Sequence, residues 1–490
     1  MTLFTAVNPG DWHSPPTWDV GGGRYPGDGV DPAGDSVDIR GGHTVTFNGW
    51  QAGDLGYIGT DVIGNLAIAV PFTRVGGLVL NATLQYRGNI TFYSESHVTL
   101  AAGAFLECNS PAGNQYDVRF RYAGASPSTL VFNGTRASPS GFKNIGTGNN
   151  FVRFYTEYDG AITGDHMQFE GMGTAGLYAF WVTDPSLSIN LNSVLFKDSS
   201  RFHYESMDAT TNLDIGTFDI RTPRGATVVD INATTNKDVA ATRNIGSLTA
   251  YDSTQFLIAT GNAPDLTFGE VIIPKGNIGG GVNSRRMTIG KGFFSLPDPT
   301  DQDSITPSTN AAHQISDVIF TALRNNPHYI TEVTAYDQAL TANQYSGLVY
   351  DGFGGLNDGD FLIAGGRITF DYCIGINNAG NCLTFLNTTA IAESWTHNTI
   401  HDCARANIGE GPLGGAAILE NFQSNIYVDL DSGIYQLGAY VEQGAQFILN
   451  HNCYFNQTDA ANIDHPVALQ NSYVGAELRR HAIGAHGVDP

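Results

Sequence analysis

The 490-residue chain is poor in charged residues, and the charges that it carries are mostly negative. Charged residues make up 14% of the chain, with 24 basic against 47 acidic side chains and a net charge of −23. No stretch of basic side chains is present to follow a phosphate backbone or an anionic membrane surface. We therefore expect no nucleic acid partner and no insertion into a membrane.

Cysteines and long apolar runs are also scarce. The five cysteines, Cys108, Cys373, Cys382, Cys403 and Cys453, stand at irregular spacings, which argues against a disulfide framework and against a zinc site. Such cysteines are compatible with assembly in a reducing cytoplasm. No apolar run reaches the length of about 18 residues that spans a membrane. The N-terminus shows no basic and then apolar leader, so we expect no secretory signal.

What the chain has in abundance is glycine, with 59 residues, and short segments in which apolar and polar residues alternate. Residues 78–80, 84–86, 90–92 and 98–100 follow one another with gaps too short for a helix. A helical protein would carry many more Lys and Glu side chains on its exposed faces. The pattern predicts an all-β chain of short strands joined by tight turns.

An irregular repeat indicates how these strands are arranged. Eleven segments of one type begin at His166, Ser193, Ile215, Ile245, Phe268, Met287, Asp317, Arg367, His397, Gln423 and His451. Most intervals are 19–30 residues, the length of a coil of three short strands, and one interval of 50 residues predicts a coil with an inserted loop. Because one coil cannot bury its inward face alone, the repeat predicts a right-handed parallel β-helix, a single-stranded solenoid over residues 71–490.

The repeat also predicts local features. Asn residues cluster at the bends, where they tolerate left-handed backbone and can hydrogen-bond along a stack of like turns. Residues 297–316, rich in Asp, Pro, Ser and Thr, predict a surface loop. Residues 325–362 predict a second excursion, with a short helix near 337–350. Cys373 and Cys403 share a repeat position and predict a stacked pair of buried thiols.

The first seventy residues differ in composition from the rest. Alternation in 36–39 and again in 44–47, with glycines between them, predicts two strands joined by a turn. The segment Trp12–Phe47 resembles the opening of the eight-glycine domain of large secreted and cell-surface β-helix proteins. This resemblance implies a small N-terminal β cap or attachment segment over residues 1–70, and it implies no chemistry.

The last three repeats contain the sequences HNTIHDC, SNIYVD and HNCYFNQTD, which resemble the coils of the pectin-lyase-like β-helix superfamily. The resemblance extends over the repeats from His166 to His451 and implies the same fold. Superfamily members that cleave polysaccharides use carboxylates, or Ca²⁺ with a basic residue, on one exposed face. This chain lacks the paired aspartates, His-Gly and Arg-x-Lys of polygalacturonases and the Asp-rich calcium set of pectate lyases, which argues against an enzyme.

The C-terminal third holds the candidate site residues. A glycosidase needs two carboxyl groups about 5–9.5 Å apart, and stacked strands about 4.8 Å apart bring equivalent positions close together. The catalytic candidates are Asp402, Asp429 and Glu410. The alternative is that such acidic residues only form turns or a solvated surface. The candidates for binding a sugar are Trp395, Tyr435, Tyr440 and Asp431, of which the aromatic residues have core packing as their alternative role.

The expectations for cofactors and partners follow from the same features. We assign no metal site and expect no cofactor, with Ca²⁺ as the one ion left open. The last coil has no obvious cap before Pro490, and bare strand edges invite aggregation. We therefore expect a homo-oligomer, a trimer, or a chain that continues further.

Three classes of function fit these observations, since a fold alone does not determine function. We favour a virion protein, assembled in a host cytoplasm, that acts as a tail spike, fibre or capsid appendage. It would contact other virion proteins and present a host- or carbohydrate-binding surface. The alternatives are a secreted polysaccharide lyase or glycoside hydrolase and a bacterial surface adhesin, both at an extracellular or cell-surface location and both without a visible leader.

Overall fold

A computed structural model describes the chain as two compact units, Met1–Ser253 and Thr254–Pro490. In the first unit it describes residues 3–30, 36–39, 43–54, 69–72, 77–87, 89–93, 97–109, 115–121, 128–146, 151–156, 160–174, 178–183, 187–205, 212–221, 227–232 and 243–251. In the second unit it describes residues 257–260, 266–273, 277–280, 287–294, 303–306, 314–320, 328–331, 343–351, 360–364, 367–385, 391–409, 418–419, 422–428, 449–450, 452–455 and 472–474.

The first unit is built from three ladders of parallel strands, which we call A, B and C. Ladder A contains Gly10–Asp11, Thr44–Phe47, Gly77–Leu80, His97–Leu100, Ser128–Asn133 and Gly160–Asp165. Ladder B contains Leu84–Tyr86, Phe105–Cys108, Ser140–Asn144 and Met167–Glu170. Ladder C contains Ala69–Phe72, Asn89–Tyr93, Gln115–Arg121, Phe151–Thr156, Tyr178–Val182, Arg201–Glu205 and Thr227–Asn232. The long strands Leu187–Lys197, Leu213–Arg221 and Arg243–Tyr251 pass through the bend and extend both A and B.

The second unit also contains three parallel ladders, which we call D, E and F. Ladder D contains Gln314–Ser316, Asn343–Ser346, Arg367–Asp371, Ile391–Thr396, Ile418–Leu419, Phe422–Gln423 and Leu449–Asn450. Ladder E contains Val318–Phe320, Val349–Asp351, Ile426–Val428, Asn452–Phe455 and Ser472–Val474. Ladder F contains Leu257–Thr260, Asn277–Gly280, Asp303–Thr306, His328–Thr331 and Asp360–Ala364. Four long strands serve two ladders each: Leu266–Ile273 and Met287–Phe294 extend D and E, and Ile374–Phe385 and Thr399–Gly409 extend E and F.

These ladders make the chain an all-β parallel β-helix, as the repeat predicts. Successive coils add strands to these ladders, a long strand serves two ladders at once, and each of the eleven predicted repeats contains a strand. The described residues contain no α-helix, and their one helical element is the 3₁₀ turn Pro15–Thr17.

The core lies inside the coils, where alternate residues of every ladder point inward. In Leu187–Lys197, for example, Leu187, Ile189 and Leu191 are buried, and the residues between them are at least partly exposed. Phenylalanines stack from coil to coil, and the rings of Phe180 and Phe202 lie 4.7 Å apart at an angle of 6°. Such stacking stabilises parallel coils beyond the burial of area alone, by about 0.5–1.5 kcal/mol for each pair.

In five successive coils a bend links the strand of ladder D to the strand of ladder E, and two positions at this bend are alike in all five. The first residue has left-handed backbone in five successive coils: Asp317 (φ 51°), Gly347 (φ 63°), Tyr372 (φ 60°), His397 (φ 58°) and Ser424 (φ 60°). The second residue is fully buried in each coil: Val318, Leu348, Cys373, Asn398 and Asn425. The bend therefore turns the chain while it adds one side chain to the core.

The last two buried bend residues confirm the predicted ladder of asparagines. The Asn398 amide accepts a hydrogen bond from the backbone N–H of Cys373 at 2.8 Å and donates to the carbonyl of Phe370 at 2.9 Å. Asn425 repeats the arrangement, since its Oδ1 accepts from the backbone N–H of Asn398 at 2.9 Å and its Nδ2 donates to Trp395 O at 2.9 Å. Each amide thus satisfies buried groups of the coil before it.

The predicted helix near 337–350 is wrong wherever the structure describes that stretch. Asn343–Ser346 and Val349–Asp351 are strands of ladders D and E, with Tyr345 and Leu348 fully buried. The interval of 50 residues therefore holds two coils and not a coil with a loop. Burial of alternate residues against the neighbouring coils outweighs the helix propensity of the segment.

The two predicted loop excursions also contain strands. Within 297–316 the structure places Asp303–Thr306 and Gln314–Ser316, and within 325–362 it also places His328–Thr331. Polar composition is a weak guide in these stretches, because the outward residue of every solenoid strand is free to be polar. Residues 343–351 and 360–362 of the second stretch are also described, and the remaining residues of both stretches lie outside the described part of the chain.

The predicted stacking of Cys373 on Cys403 is also wrong. Cys373 lies in the bend, where its neighbour in the next coil is Asn398. Cys403 lies in the strand Thr399–Gly409, opposite Asn378. The two share an offset from their repeat starts, but the repeats begin at different points of the coil.

The N-terminal segment forms the predicted strands. Ser36–Asp38 pairs in parallel with Leu3–Thr5 in a separate two-stranded sheet, whereas Thr44–Phe47 enters ladder A. Trp12 is fully buried, and its ring centre lies 5.3 Å from that of Trp18 and 5.4 Å from that of Phe47. This aromatic cluster covers the core at the start of the solenoid.

Candidate functional site

Most of the site residues predicted from the sequence lie outside the described part of the chain. These are Glu410, Asp429, Asp431, Tyr435 and Tyr440. The backbone of Asp402 belongs to the strand Thr399–Gly409, but its side chain is not described. The proximity of Asp402 and Asp429 remains a prediction.

Trp395 is the exception, and the structure places it in the core. Its side chain is fully buried, and its indole stacks on the ring of Phe370 at 4.4 Å and 17°. A ring enclosed in this way has no face left for a sugar. Trp395 therefore has the packing role, and its prediction as a binding residue is wrong for this structure.

A different set of aromatic residues lies on the outer face of ladder C. Tyr155, Trp181 and His203 occupy one column of three consecutive coils, and Tyr178 stands beside them opposite Arg201. The inward neighbours Phe154, Phe180 and Phe202 are buried. We call the outward set Arg153, Tyr155, Tyr178, Trp181, Arg201 and His203 the aromatic platform.

The rings of the platform are in contact across the strands. The ring centre of Trp181 lies 5.1 Å from that of Tyr155 and 5.3 Å from that of Tyr178. The ring of Tyr178 in turn lies 5.0 Å from the imidazole of His203. The two tyrosines and the tryptophan are each half-buried, so part of every ring reaches solvent.

Arginine side chains hold these rings in position. The guanidinium carbon of Arg153 lies 4.7 Å from the ring centres of both Tyr155 and Trp181. Asp117, in the preceding coil, accepts hydrogen bonds from Arg153 Nε at 2.7 Å and Nη2 at 3.5 Å. The ion pair orients the guanidinium, and the guanidinium in turn attracts the negative faces of the rings.

An arginine and an acidic residue also flank the other edge of the platform. Arg201 lies 5.8 Å from the ring centre of Tyr178, and its Nε is buried without a hydrogen-bond partner among the described residues. Glu205 approaches Nε2 of His203 at 3.4 Å. The platform therefore offers apolar ring faces flanked by fixed donors, an arrangement that fits a ligand with both apolar faces and hydroxyl groups.

Reasoning from the sequence missed this platform, although a signal was present. In FVRFYT, from Phe151 to Thr156, alternation places Phe154 inside and both Arg153 and Tyr155 outside. In RFHYE, from Arg201, the same alternation places Arg201 and His203 outside. Aromatic and basic residues at outward positions of successive coils are the pattern that identifies such a surface.

A groove lies where ladders A and B of the first unit meet. It has a volume of about 690 Å³, within the range of small-molecule sites. Its wall combines cationic, polar and apolar side chains from four successive coils: Arg136, Pro139, His166, Met167, Asn192, Ser193, Leu195, Thr217, Asp219 and Arg221.

The charges in this groove are unevenly paired. Asp219 lies 3.6 Å from Arg221, and Asp165 at the edge accepts a hydrogen bond from Asn192. Arg136 is exposed and makes no hydrogen bond or ion pair with a described residue. Nδ1 of His166 is buried and likewise has no partner in the described part of the chain.

An exposed apolar column runs along the outer face of ladder E. Strand pairing places Ile272, Phe293, Ile319, Val349, Ile374, Thr399 and Ile426 at one position of seven successive coils. Phe293, Ile319, Ile374 and Ile426 are 38%, 39%, 41% and 46% exposed, and the other three are half-buried. No member of the column is charged.

No three His, Cys, Asp or Glu side chains in the described part of the chain come together to hold a metal ion. No described helix has the length and apolar character needed to cross a bilayer.

Comparison with known proteins returned no relative. No protein-family model matches the chain, and neither a curated protein nor a solved structure matches it.

Proposed function

We propose that this protein is a structural β-helix that presents a glycan-binding surface, and that it serves as a tail spike, fibre or capsid appendage of a virion. The aromatic platform on ladder C carries the proposal. The C–H-rich face of a sugar ring packs well on an aromatic ring, whose face is electronegative. The flanking arginines supply donors for the hydroxyl groups.

The platform is not needed to complete the core. The inward rings of the same strands already fill the coils, and the outward position of a solenoid strand is open to any polar residue. Three large half-exposed aromatic rings in contact are unusual on such a face, since exposed aromatic clusters mark interaction sites. Ladder C thus combines a rigid scaffold with a preformed ligand surface, which lowers the entropic cost of binding.

Binding without cleavage is the activity that these contacts favour. Asp117 is engaged by Arg153, and Glu205 faces His203. Arg153 donates to both carboxylate oxygens of Asp117, so this group is engaged within the protein. The two acidic groups at the platform therefore support ring positioning rather than hydrolysis.

The proposed virion setting includes self-association. The apolar column of ladder E has the strand repeat of about 4.8 Å, and a second copy of this chain presents the same repeat. The column is free of charge in a protein of net charge −23, so copies that meet there avoid the repulsion that acts elsewhere on their surfaces. We therefore propose that the column packs against its equivalent in other copies, in a trimer.

The described cysteines are compatible with the compartment proposed for assembly, the reducing cytoplasm of a host. Cys108 and Cys373 are buried thiols that form no disulfide with another described residue. Burial raises the pKa of the Cys373 thiol well above its usual range, which keeps it protonated and unreactive. A protein with buried free thiols can assemble in a reducing host cytoplasm.

A glycan array followed by calorimetry tests the proposal. The native protein should bind at least one glycan, and Trp181→Ala should lower the affinity about thirtyfold, about 2 kcal/mol. Tyr372→Ala removes an exposed ring from the second unit, outside the apolar column, and should leave the affinity unchanged. An array without binding, or equal affinities for native and Trp181→Ala proteins, would contradict the proposal. Release of oligosaccharides in the same samples would instead favour a lyase or hydrolase.

A further inference from the structure

We infer that the groove between ladders A and B binds an anionic sugar residue, one that carries a carboxylate or a sulfate. This inference rests on the proposed glycan-binding function and specifies a second site on the same unit. The site is separate from the aromatic platform, because the groove is lined by strands of ladders A and B and the platform stands on ladder C.

Size and position make the groove suitable for a saccharide. A volume of about 690 Å³ accommodates one or two sugar rings. Its wall includes the bend at His166 and the equivalent bend at Asn192 and Ser193 in the next coil. Side chains at such bends are held by the stacked strands on both sides, so the wall is rigid.

Charge in the groove favours an anion. Arg221 has Asp219 at 3.6 Å, whereas Arg136 has no counter-charge among the described residues. The lining side chains comprise two arginines and one carboxylate, and Asp165 at the edge is bonded to Asn192, so Arg136 is the guanidinium left to meet a ligand in a protein whose net charge is −23. A guanidinium matches the geometry of carboxylate and sulfate oxygens, which makes Arg136 the anchor for the anionic group.

His166 provides a second and independent indication of a ligand. Its Nδ1 is buried and unpartnered within the described residues, although buried polar atoms in proteins almost always have a partner. The imidazole lines the groove, so a ligand oxygen there would satisfy this atom. In the tautomer that carries its proton on Nδ1, the imidazole can donate a hydrogen bond to such an oxygen.

The rest of the wall fits the neutral part of a sugar. Ser193 and Thr217 offer hydroxyl groups, and the half-buried Leu195 offers an apolar surface for the C–H face of a ring. The wall as a whole can therefore bind a ligand that has one anionic group, several hydroxyl groups and one apolar face. These are the chemical features of an acidic saccharide.

Calorimetry with three matched disaccharides tests the inference on the full chain. The probes are a glucuronic-acid disaccharide, a sulfated disaccharide of the same length and their uncharged counterpart. At least one anionic probe should bind tenfold more tightly than the uncharged one, and its affinity should fall as salt rises. Preference for the carboxylated or the sulfated probe identifies the anionic group.

Two variants and one control locate the binding. Arg136→Ala should lower the affinity for the anionic probe about tenfold and leave any affinity for the uncharged probe unchanged. His166→Gly suits the left-handed backbone at φ 48° and should also weaken anionic binding without loss of fold. Lys291→Ala makes the same change in net charge on an exposed side chain of the second unit and should have no effect.

The outcomes separate this site from the platform. Equal affinity for charged and uncharged probes, no binding of either anionic probe, or anionic binding unaffected by Arg136→Ala would each overturn the inference. If binding is lost in Trp181→Ala but retained in Arg136→Ala and His166→Gly, the glycan-binding function stands and the groove does not contribute. If binding is lost in Arg136→Ala and retained in Trp181→Ala, the groove is the site and the platform proposal fails.

Discussion

The amide Nδ2 of Asn398 donates a hydrogen bond to Oδ1 of Asn425 at 3.0 Å, and both side chains are fully buried. The pair connects successive coils at the bend between ladders D and E. Two polar side chains inside an apolar core are stable only because every bond in this chain of contacts is made. The bend therefore constrains which residues can follow a left-handed turn in this solenoid.

Replacement of Asn398 by leucine tests this relationship. The variant would leave the N–H of Cys373 and the carbonyl of Phe370 buried without their partner. Each orphaned group costs about 1–3 kcal/mol, so we expect the unfolding free energy to fall by about 2–4 kcal/mol. Urea denaturation measures the change, with the exposed Asn190→Ala as the control. A loss below about 0.5 kcal/mol would show that the amide is not structural.

At the left-handed bend position, by contrast, a substitution should raise the stability of the protein. Ser424 has φ 60°, whereas Gly347 takes the equivalent position in an earlier coil at no steric cost. Ser424→Gly should raise stability by about 0.5–1 kcal/mol, and Ser424→Val should lower it by about 1–2 kcal/mol. Thermal unfolding of the two variants distinguishes them. If both shift the midpoint in the same direction, backbone strain does not govern this position.

Glu170 should contribute a pH-dependent part of the stability. Burial opposes its ionisation, but Lys197 at 2.6 Å and Lys143 at 3.4 Å outweigh burial and lower the pKa of this carboxyl below its usual 4.5. A lowered pKa stabilises the fold above about pH 4.5, and the contribution is lost as the pH falls through the lowered value. Native protein should therefore be more stable than Glu170→Gln at pH 7, by up to about 1 kcal/mol because the lysines are partly exposed.

The check on this prediction is the difference between the two proteins across pH. Urea midpoints at pH 7 and in acid should show that the advantage of the native protein shrinks as Glu170 becomes protonated. Glu270→Gln breaks a more exposed pair with Lys291 and should have a smaller effect at pH 7. A difference that grows towards low pH would contradict the predicted sign.

The apolar column makes a prediction about assembly. Ile374→Asp with Ile426→Asp places two carboxylates on the face where we propose that copies meet, and the pair should convert the oligomer to monomers. Gln344→Asp adds the same kind of charge at an exposed position of ladder D and should leave the oligomer intact. Sedimentation of the three proteins tests this. A native protein that is already monomeric, or an oligomer that survives both substitutions, would show that the column is not the interface.

The sequence carries most of the information about the fold and little about the site. Alternation predicts the strands around Leu78 and Leu84, since one face of each is buried against the next coil. It fails near Tyr345, where strands of the same length follow a stretch with helix propensity and burial against the neighbouring coils decides the structure. The register between strands is also not predicted, because the starts of the sequence repeats do not report the point at which a bend occurs.

Site residues are harder to predict because acidic and aromatic residues have several roles in a solenoid. Trp395 and Trp181 both follow strand patterns, but one ring lies inside on Phe370 and the other lies outside under Arg153. The difference depends on the parity of a single residue within the strand. The platform also joins residues of three coils, and their contact requires a register that the sequence alone does not supply.

Tryptophan emission during a glycan titration tests the central claim most directly. Trp12, Trp18 and Trp395 are buried, and the half-buried Trp50 packs on Phe47 of ladder A, whereas Trp181 is half-exposed on the platform. Glycan binding should change the emission of the native protein, and Trp181→Phe should bind within about threefold of native affinity without that change, because a ring remains for stacking. The same emission change in Trp181→Phe, or native affinity in Trp181→Ala, would show that the glycan does not contact the platform.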